Sequence, residues 1–267
     1  MNIVVCVKHV PDATAHVGFE SDNTVDRVGV EGLLSELDEY AVEQALQIKE
    51  KREGEDVTVT AVCVGPEKAA DAIRKALQMG ADQGVHVSDE AIAGSDAVAT
   101  SLVLAEAVKK VAATVGPVDL VMTGMSSTDG AMGVVGPMMS ERLGWPQVTY
   151  ADLVETQGDQ VRIKRDSDVS TEVIGATMPL VLSVTDRGGE ARYPSFKGIM
   201  AAKKKPVETW SLADLGVDAG SVGLAAAWTA VADTTARPPR TAGEVVKDDA
   251  GSGATALVEF LAAKKFI

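Results

Sequence analysis

The chain has 267 residues, with 25 Lys+Arg against 39 Asp+Glu and a formal net charge of -14. Its 2 cysteines supply neither a disulfide scaffold nor a thiolate zinc cage of about four ligands. The acidic balance and the scarcity of aromatics argue against non-specific nucleic-acid binding, and no apolar run reaches the roughly 18 residues of a membrane span.

The opening Met1-Asn2-Ile3-Val4-Val5 lacks a charged n-region and a cleavage site, so a cytoplasmic chain is expected, long enough for one large domain plus additions. Residues 3–7 form a continuous apolar run, as a strand buried on both faces requires. Residues 38–52 carry Ala41, Val42, Ala45, Leu46 and Ile48 at helical spacing. A strand over 57–64 ends at Gly65-Pro66, and a helix over 67–79 ends at Gly80. A short strand follows over 84–87, then an Ala/Val helix over 96–115, a strand over 118–123 and a helix over 132–143 stopped by Gly144. Strands alternating with helices imply right-handed βαβ crossovers and a mainly parallel sheet with helices on both faces.

After Trp145-Pro146 the pattern changes. Residues 148–155, 160–165 and 171–175 read as consecutive strands of a small antiparallel extension, and the apolar run 180–185 returns to the main sheet. The segment 192–205 holds five basic residues and no acid, whereas residues 20–56 hold twelve acids and four bases, a net of -8 (4 minus 12). From Pro206 the composition is loose, with a Pro238-Pro239 break and a last amphipathic helix over 255–265. The expected organisation is therefore an α/β domain over 1–205 and, over 206–267, an extended C-terminal arm that packs on a partner chain.

Catalytic signatures are absent from the sequence. Cys6 and Cys63 lie inside apolar strands and read as small buried hydrophobes. His9, His16 and His86 make no His-x-x-x-His pair, so no metal site is expected, although His9, at the end of the first strand, is placed to line a cleft. Neither a Gly-x-Ser-x-Gly elbow nor a P-loop occurs, and no Gly-x-Gly-x-x-Gly follows the first strand. The informative segment is the glycine-rich junction 123–136, Thr-Gly-Met-Ser-Ser-Thr-Asp-Gly-Ala-Met-Gly-Val-Val-Gly. It joins a strand to a helix, where open parallel sheets bind ligands and free helix N–H groups suit phosphate. The same residues also fit an ordinary strand–helix turn with Asp129 as a helix cap.

The chain resembles the beta subunit of electron transfer flavoprotein over nearly its whole length. The matching segments are Ile3-Val4-Val5-Cys6-Val7-Lys8, the helix from Asp38 to Leu46, Ile73-Arg74-Lys75-Ala76-Leu77-Gln78-Met79-Gly80-Ala81-Asp82, Gly144-Trp145-Pro146-Gln147, and Met178-Pro179 with Arg165 and Glu172. The run Arg192-Tyr193-Pro194-Ser195-Phe196-Lys197-Gly198-Ile199-Met200-Ala201-Ala202-Lys203-Lys204-Lys205 resembles the family's partner-recognition loop, and Arg240-Thr241-Ala242-Gly243 recurs in its terminal arm.

That resemblance implies a Rossmann-like, adenine-nucleotide-binding fold and a heterodimer with an alpha subunit that holds most of the redox FAD. It implies a beta subunit that buries AMP without catalytic residues of its own. The complex is expected to accept electrons from acyl-CoA dehydrogenases and other flavoenzymes and to pass them to a membrane-associated electron transfer flavoprotein-quinone oxidoreductase. Carried over by position, the AMP pocket takes Cys6, Ser35, Ala61, Val64, Gly124, Asp129, Gly130, Met132, Gly133, Val134 and Val135. Met132 and Val134 stand where amide or hydroxyl side chains are common, and Ser35 where Asn is common, so backbone N–H groups carry more of the phosphate. Ala13 replaces an aromatic found near the flavin in some members. The docking residues are Tyr193, Phe196, Ile199 and Met200, with Phe196 as the apolar anchor where the family commonly has Leu. Lys203, Lys204 and Lys205 either steer acidic partners or solvate a helix end. One rival reading stays open, a flavin-bifurcating relative with a second FAD in place of AMP; a stand-alone nucleotide-binding enzyme such as an adenylate-forming ligase lacks support, because no basic or Ser-rich phosphate loop follows the first strand.

Overall fold

A computed structural model describes every residue except 15–16, 236–237, 239–241, 244 and 248–249. His16, Pro239 and the Arg240-Thr241 pair thus lie outside the described residues. Strand β1 (Asn2–Cys6) is followed by two short strands, β2 (His9–Pro11) and β3 (Gly32–Leu34), which pair antiparallel with each other. Next come α1 (Glu36–Lys51), β4 (Thr58–Val64), α2 (Ala70–Met79), β5 (Gln83–Val87), α3 (Ala97–Thr114), β6 (Leu120–Gly124) and α4 (Val135–Leu143). Strand β7 (Gln147–Ala151) precedes a three-strand antiparallel sheet of β8 (Leu153–Gln157), β9 (Gln160–Asp166) and β10 (Thr171–Thr177). The chain then runs through β11 (Leu180–Val184), α5 (Phe196–Ala202), β12 (Val207–Trp210), α6 (Leu212–Leu215) and α7 (Gly253–Ala263).

The main sheet has seven strands in the order β12-β5-β4-β1-β6-β11-β7, and every neighbouring pair is parallel. Alternation along β1 explains both cores. Ile3 and Val5 point to one face, beneath α1 and α2, whereas Val4 and Cys6 point to the other, beneath α3 and α4. Helices therefore cover both faces, as the apolar runs require. The chain moves outward from β1 through β4 to β5, then crosses back to β6 on the other side of β1. The carboxyl ends of β1 and β6 thus flank the crevice where strand order reverses.

The sequence pattern misplaces two features. The single run 148–155 is divided: β7 joins the main sheet and β8 the small one. The loose stretch after Pro206 begins with a sheet strand, β12, paired with β5 from Val207↔Gly84 to Trp210↔Val87. Two compact units run Met1–Ala232 and Asp233–Ile267. Within the second, α7 leaves Leu257, Val258 and Phe260 exposed. No described helix is long and apolar enough to cross a membrane.

Candidate functional site: a crevice at the sheet's switch point and an exposed apolar helix

The loop after β6 enters the crevice and is held there by charge. Asp129 receives Lys8 Nζ at 2.8 Å and Arg27 Nη2 at 2.6 Å, and Lys8 Nζ also reaches Ser127 Oγ at 3.3 Å. Burial opposes ionisation of Asp129, but the two cations and the Ser127 hydroxyl outweigh it and hold the carboxyl far below the usual carboxylate range. The Gly130 N–H donates to Asp129 Oδ1 at 2.7 Å, which fixes the turn. Asp129 therefore anchors the loop and does not cap α4. The N-cap of α4 is Val134, with no side-chain cap bond, so the N–H groups of its first turn are left to other acceptors.

A second carboxylate ties the crevice walls together. Asp38, buried in the first turn of α1, accepts the Lys8 N–H at 2.9 Å and the Gly124 N–H at 3.3 Å. Burial pushes its carboxyl up to about 7, against the pull of those two N–H donors and the Lys8 charge. Gly124 is required here, because a Cβ would lie 2.6 Å from the Leu37 carbonyl oxygen and 2.8 Å from Asp38 Oδ1. Beside it Ser35 occupies the N-cap of α1 without capping it. Ser35 is 0% exposed and its Oγ has no hydrogen-bond partner among the described residues. A buried hydroxyl left unsatisfied is costly, and it is the observation that most favours a ligand at this point.

The sequence-derived nucleotide residues fall into four groups. Gly124, Asp129, Gly130, Met132, Gly133, Val134 and Val135 share the β6–α4 junction, with Met132 exposed and Gly133 close beneath the Tyr150 hydroxyl. Ser35 lies at the crevice wall. Cys6 and Val64 sit at the ends of β1 and β4 on the α3/α4 face, where Cys6 Sγ lies 4.0 Å from Met139 Sδ. Ala61 is fully buried mid-sheet beside Val5. Burial pushes both cysteine thiols up to about 12, which keeps them protonated and unreactive. His9 lies on β2 and is buried, its ring against Gly32, with Nε2 unpartnered among the described residues. Sequence reasoning missed the charged partners. Lys8 was legible as the first polar residue after β1, but Arg27 was hidden in a segment whose charge count is dominated by acids.

The residues expected to dock a partner form a separate surface. Tyr193 is 91% exposed and Phe196 81%, and Ile199 and Met200 are exposed on α5, which has no buried residue. Of the five basic residues around them, two face inward. Arg192 is paired with Glu43 and Glu50, and Lys205 Nζ donates to the Leu77 and Ala81 carbonyls. Lys205 thus caps the end of α2, leaving Lys197, Lys203 and Lys204 as the cations beside the apolar patch.

An open, all-parallel sheet with helices on both faces and a glycine-rich loop at its switch point defines a doubly wound α/β protein. The electron transfer flavoprotein domain family matches residues 22–215. The electron transfer flavoprotein subunit beta of Mycobacterium tuberculosis (strain H37Rv) is 44% identical over 269 residues, covering 100% of this chain and 99% of the relative. That of Megasphaera elsdenii is 35% identical over 273 residues, covering 100% of both. Protein FixA of Azorhizobium caulinodans is 36% identical over 221 residues, covering 82% of this chain and 78% of its own. The chain belongs to the electron transfer flavoprotein family and aligns end to end with its beta subunits.

Proposed function

We propose that the chain is the beta subunit of a cytoplasmic, heterodimeric electron transfer flavoprotein. In this reading the complex takes electrons from acyl-CoA dehydrogenases and other flavoenzymes and delivers them to a membrane-associated quinone oxidoreductase. The observation that carries the reading is the end-to-end similarity to beta subunits. The redox chemistry is supplied by FAD held mainly by the alpha subunit.

The residues of the crevice fit AMP. The orphaned Ser35 hydroxyl offers a buried donor, and the uncapped first turn of α4 offers N–H groups to a phosphate. Lys8 and Arg27 together outweigh Asp129 by one positive charge (2 minus 1), which favours an anion beside the loop. Such a nucleotide does no redox work; it fills the crevice between β1 and β6 and fixes the loop. The chain's other task is docking. Phe196 enters an apolar slot on the dehydrogenase, Tyr193, Ile199 and Met200 surround it, and the nearby lysines complement an acidic rim.

Phe196→Ala in the heterodimer tests this. Loss of one interfacial aromatic anchor is expected to raise the dehydrogenase's KM for the complex roughly tenfold, with flavin content unchanged. Unaltered kinetics with several dehydrogenases would remove the docking assignment.

A further inference from the structure

Helix α5 has seven residues and none is buried, so its length does not explain its order. It rests on α2, with Ala202 packed against the core and Ser195 capping its start, and it is tied further at both flanks. Immediately before Tyr193, the Arg192 backbone N–H and Nε donate to Glu43 Oε2 at 3.1 and 2.6 Å, and Nη2 donates to Glu43 Oε1 at 3.0 Å. Nη1 and Nη2 donate to Glu50 Oε1 and Oε2 at 2.5 and 3.0 Å. Glu43 and Glu50 are two turns apart on α1 and therefore on one face. The Glu43 side chain is only 8% exposed, is braced by Gln47 Nε2 at 3.0 Å, and pairs with no cation but Arg192 among the described residues. Beyond α5, Lys205 is fixed on α2. Between these ends α5 approaches α2 so closely that a Cβ at Gly198 would lie 2.5 Å from the Gln78 carbonyl oxygen.

An exposed ion pair adds little. A guanidinium forked onto two carboxylates, one of them nearly buried, differs because its geometry is fixed and its loss strands a desolvated charge. We propose that Arg192, gripped by Glu43 and Glu50, is a positioning residue that holds the Tyr193–Met200 docking element in its binding conformation before a partner arrives. The clamp lowers the ordering cost of association, so it acts on encounter and affinity and leaves the flavin chemistry alone. This inference rests on the docking role of α5, and its test keeps the two separable.

The variants are Arg192→Lys, which cannot make the two-pronged contact, and Glu50→Gln, which touches only the exposed side of the clamp and leaves Glu43 paired. In the heterodimer, amide hydrogen exchange at residues 196–203 is expected to accelerate roughly tenfold in both, with the centre of α1 unchanged. The dehydrogenase's KM for the complex is expected to rise severalfold at constant kcat and flavin content. Wild-type exchange in both variants overturns the proposal. A lowered melting temperature with unchanged exchange and KM also overturns it, because the clamp is then only structural. Faster exchange with unchanged KM, together with a silent Phe196→Ala, retains the clamp and refutes the docking role.

Discussion

Asp38 occupies the point where strand order reverses, and its two oxygens join the end of β1 to the end of β6. Burial pushes its carboxyl from the ordinary 3.8 up to about 7. A raised carboxylate contributes stability that is full below the lower value and is lost as pH rises through the upper one. Asp38 therefore favours the folded state most in acid, and that contribution fades across about pH 4 to 7. Asn at this position cannot titrate. The stability of Asp38→Asn relative to wild type, measured as a urea midpoint, is expected to improve as pH rises from 5 to 8; a pH-independent difference would show that Asp38 stays ionised throughout. The sequence identified the helix to which Asp38 belongs but not this role, because two backbone N–H partners from separate strands leave no trace in local spacing. Asp129 teaches the same lesson. Its position before a helix is consistent with a cap, and only the fold brings Lys8 and Arg27 to it.

The central strands were readable because burial on both faces demands unbroken apolar runs, as in β1, β4 and β11. Outside that condition legibility was uneven: β9 and β10 were read as antiparallel strands, but the elements around them were not all readable. The run 148–155 spans two sheets because Tyr150 adopts a φ of 58° and Asp152 is held by Thr185 Oγ1 and the Asp166 N–H, which redirects the chain with no glycine or proline to mark the break. Strand β12 pairs on one side only and carries Glu208 and Thr209, so its composition reads as loop. The β2–β3 pair is too short for any periodicity. Where elements meet, the junction of β6 with α1 leaves no room for a side chain at Gly124. Gly124→Ala is expected to destabilise by roughly 1–3 kcal/mol through overpacking against Leu37 and Asp38, and to lower bound AMP more than bound FAD. Thermal denaturation with released-nucleotide analysis checks both; full AMP retention would place the nucleotide away from the β6 end.

Across the whole chain, the net charge of -14 conceals the distribution that matters. The basic run 192–205 reads as a uniform surface feature, yet Arg192 and Lys205 are spent inward, holding the segment that displays Phe196. Composition cannot distinguish a lysine that steers from one that caps a helix, because the difference is whether a carbonyl lies within reach. The proposed docking surface and the crevice are thus served by the same scaffold: α1 supplies Ser35 and Asp38 at one end and Glu43 and Glu50 farther along. The central claim is that this scaffold keeps AMP in the crevice of a flavoprotein heterodimer. The direct measurement is the nucleotide content of the purified complex, released by denaturation and quantified by chromatography. One FAD and one AMP per heterodimer is the expected result; two FAD and no AMP, or no adenine nucleotide beyond the flavin, would contradict it.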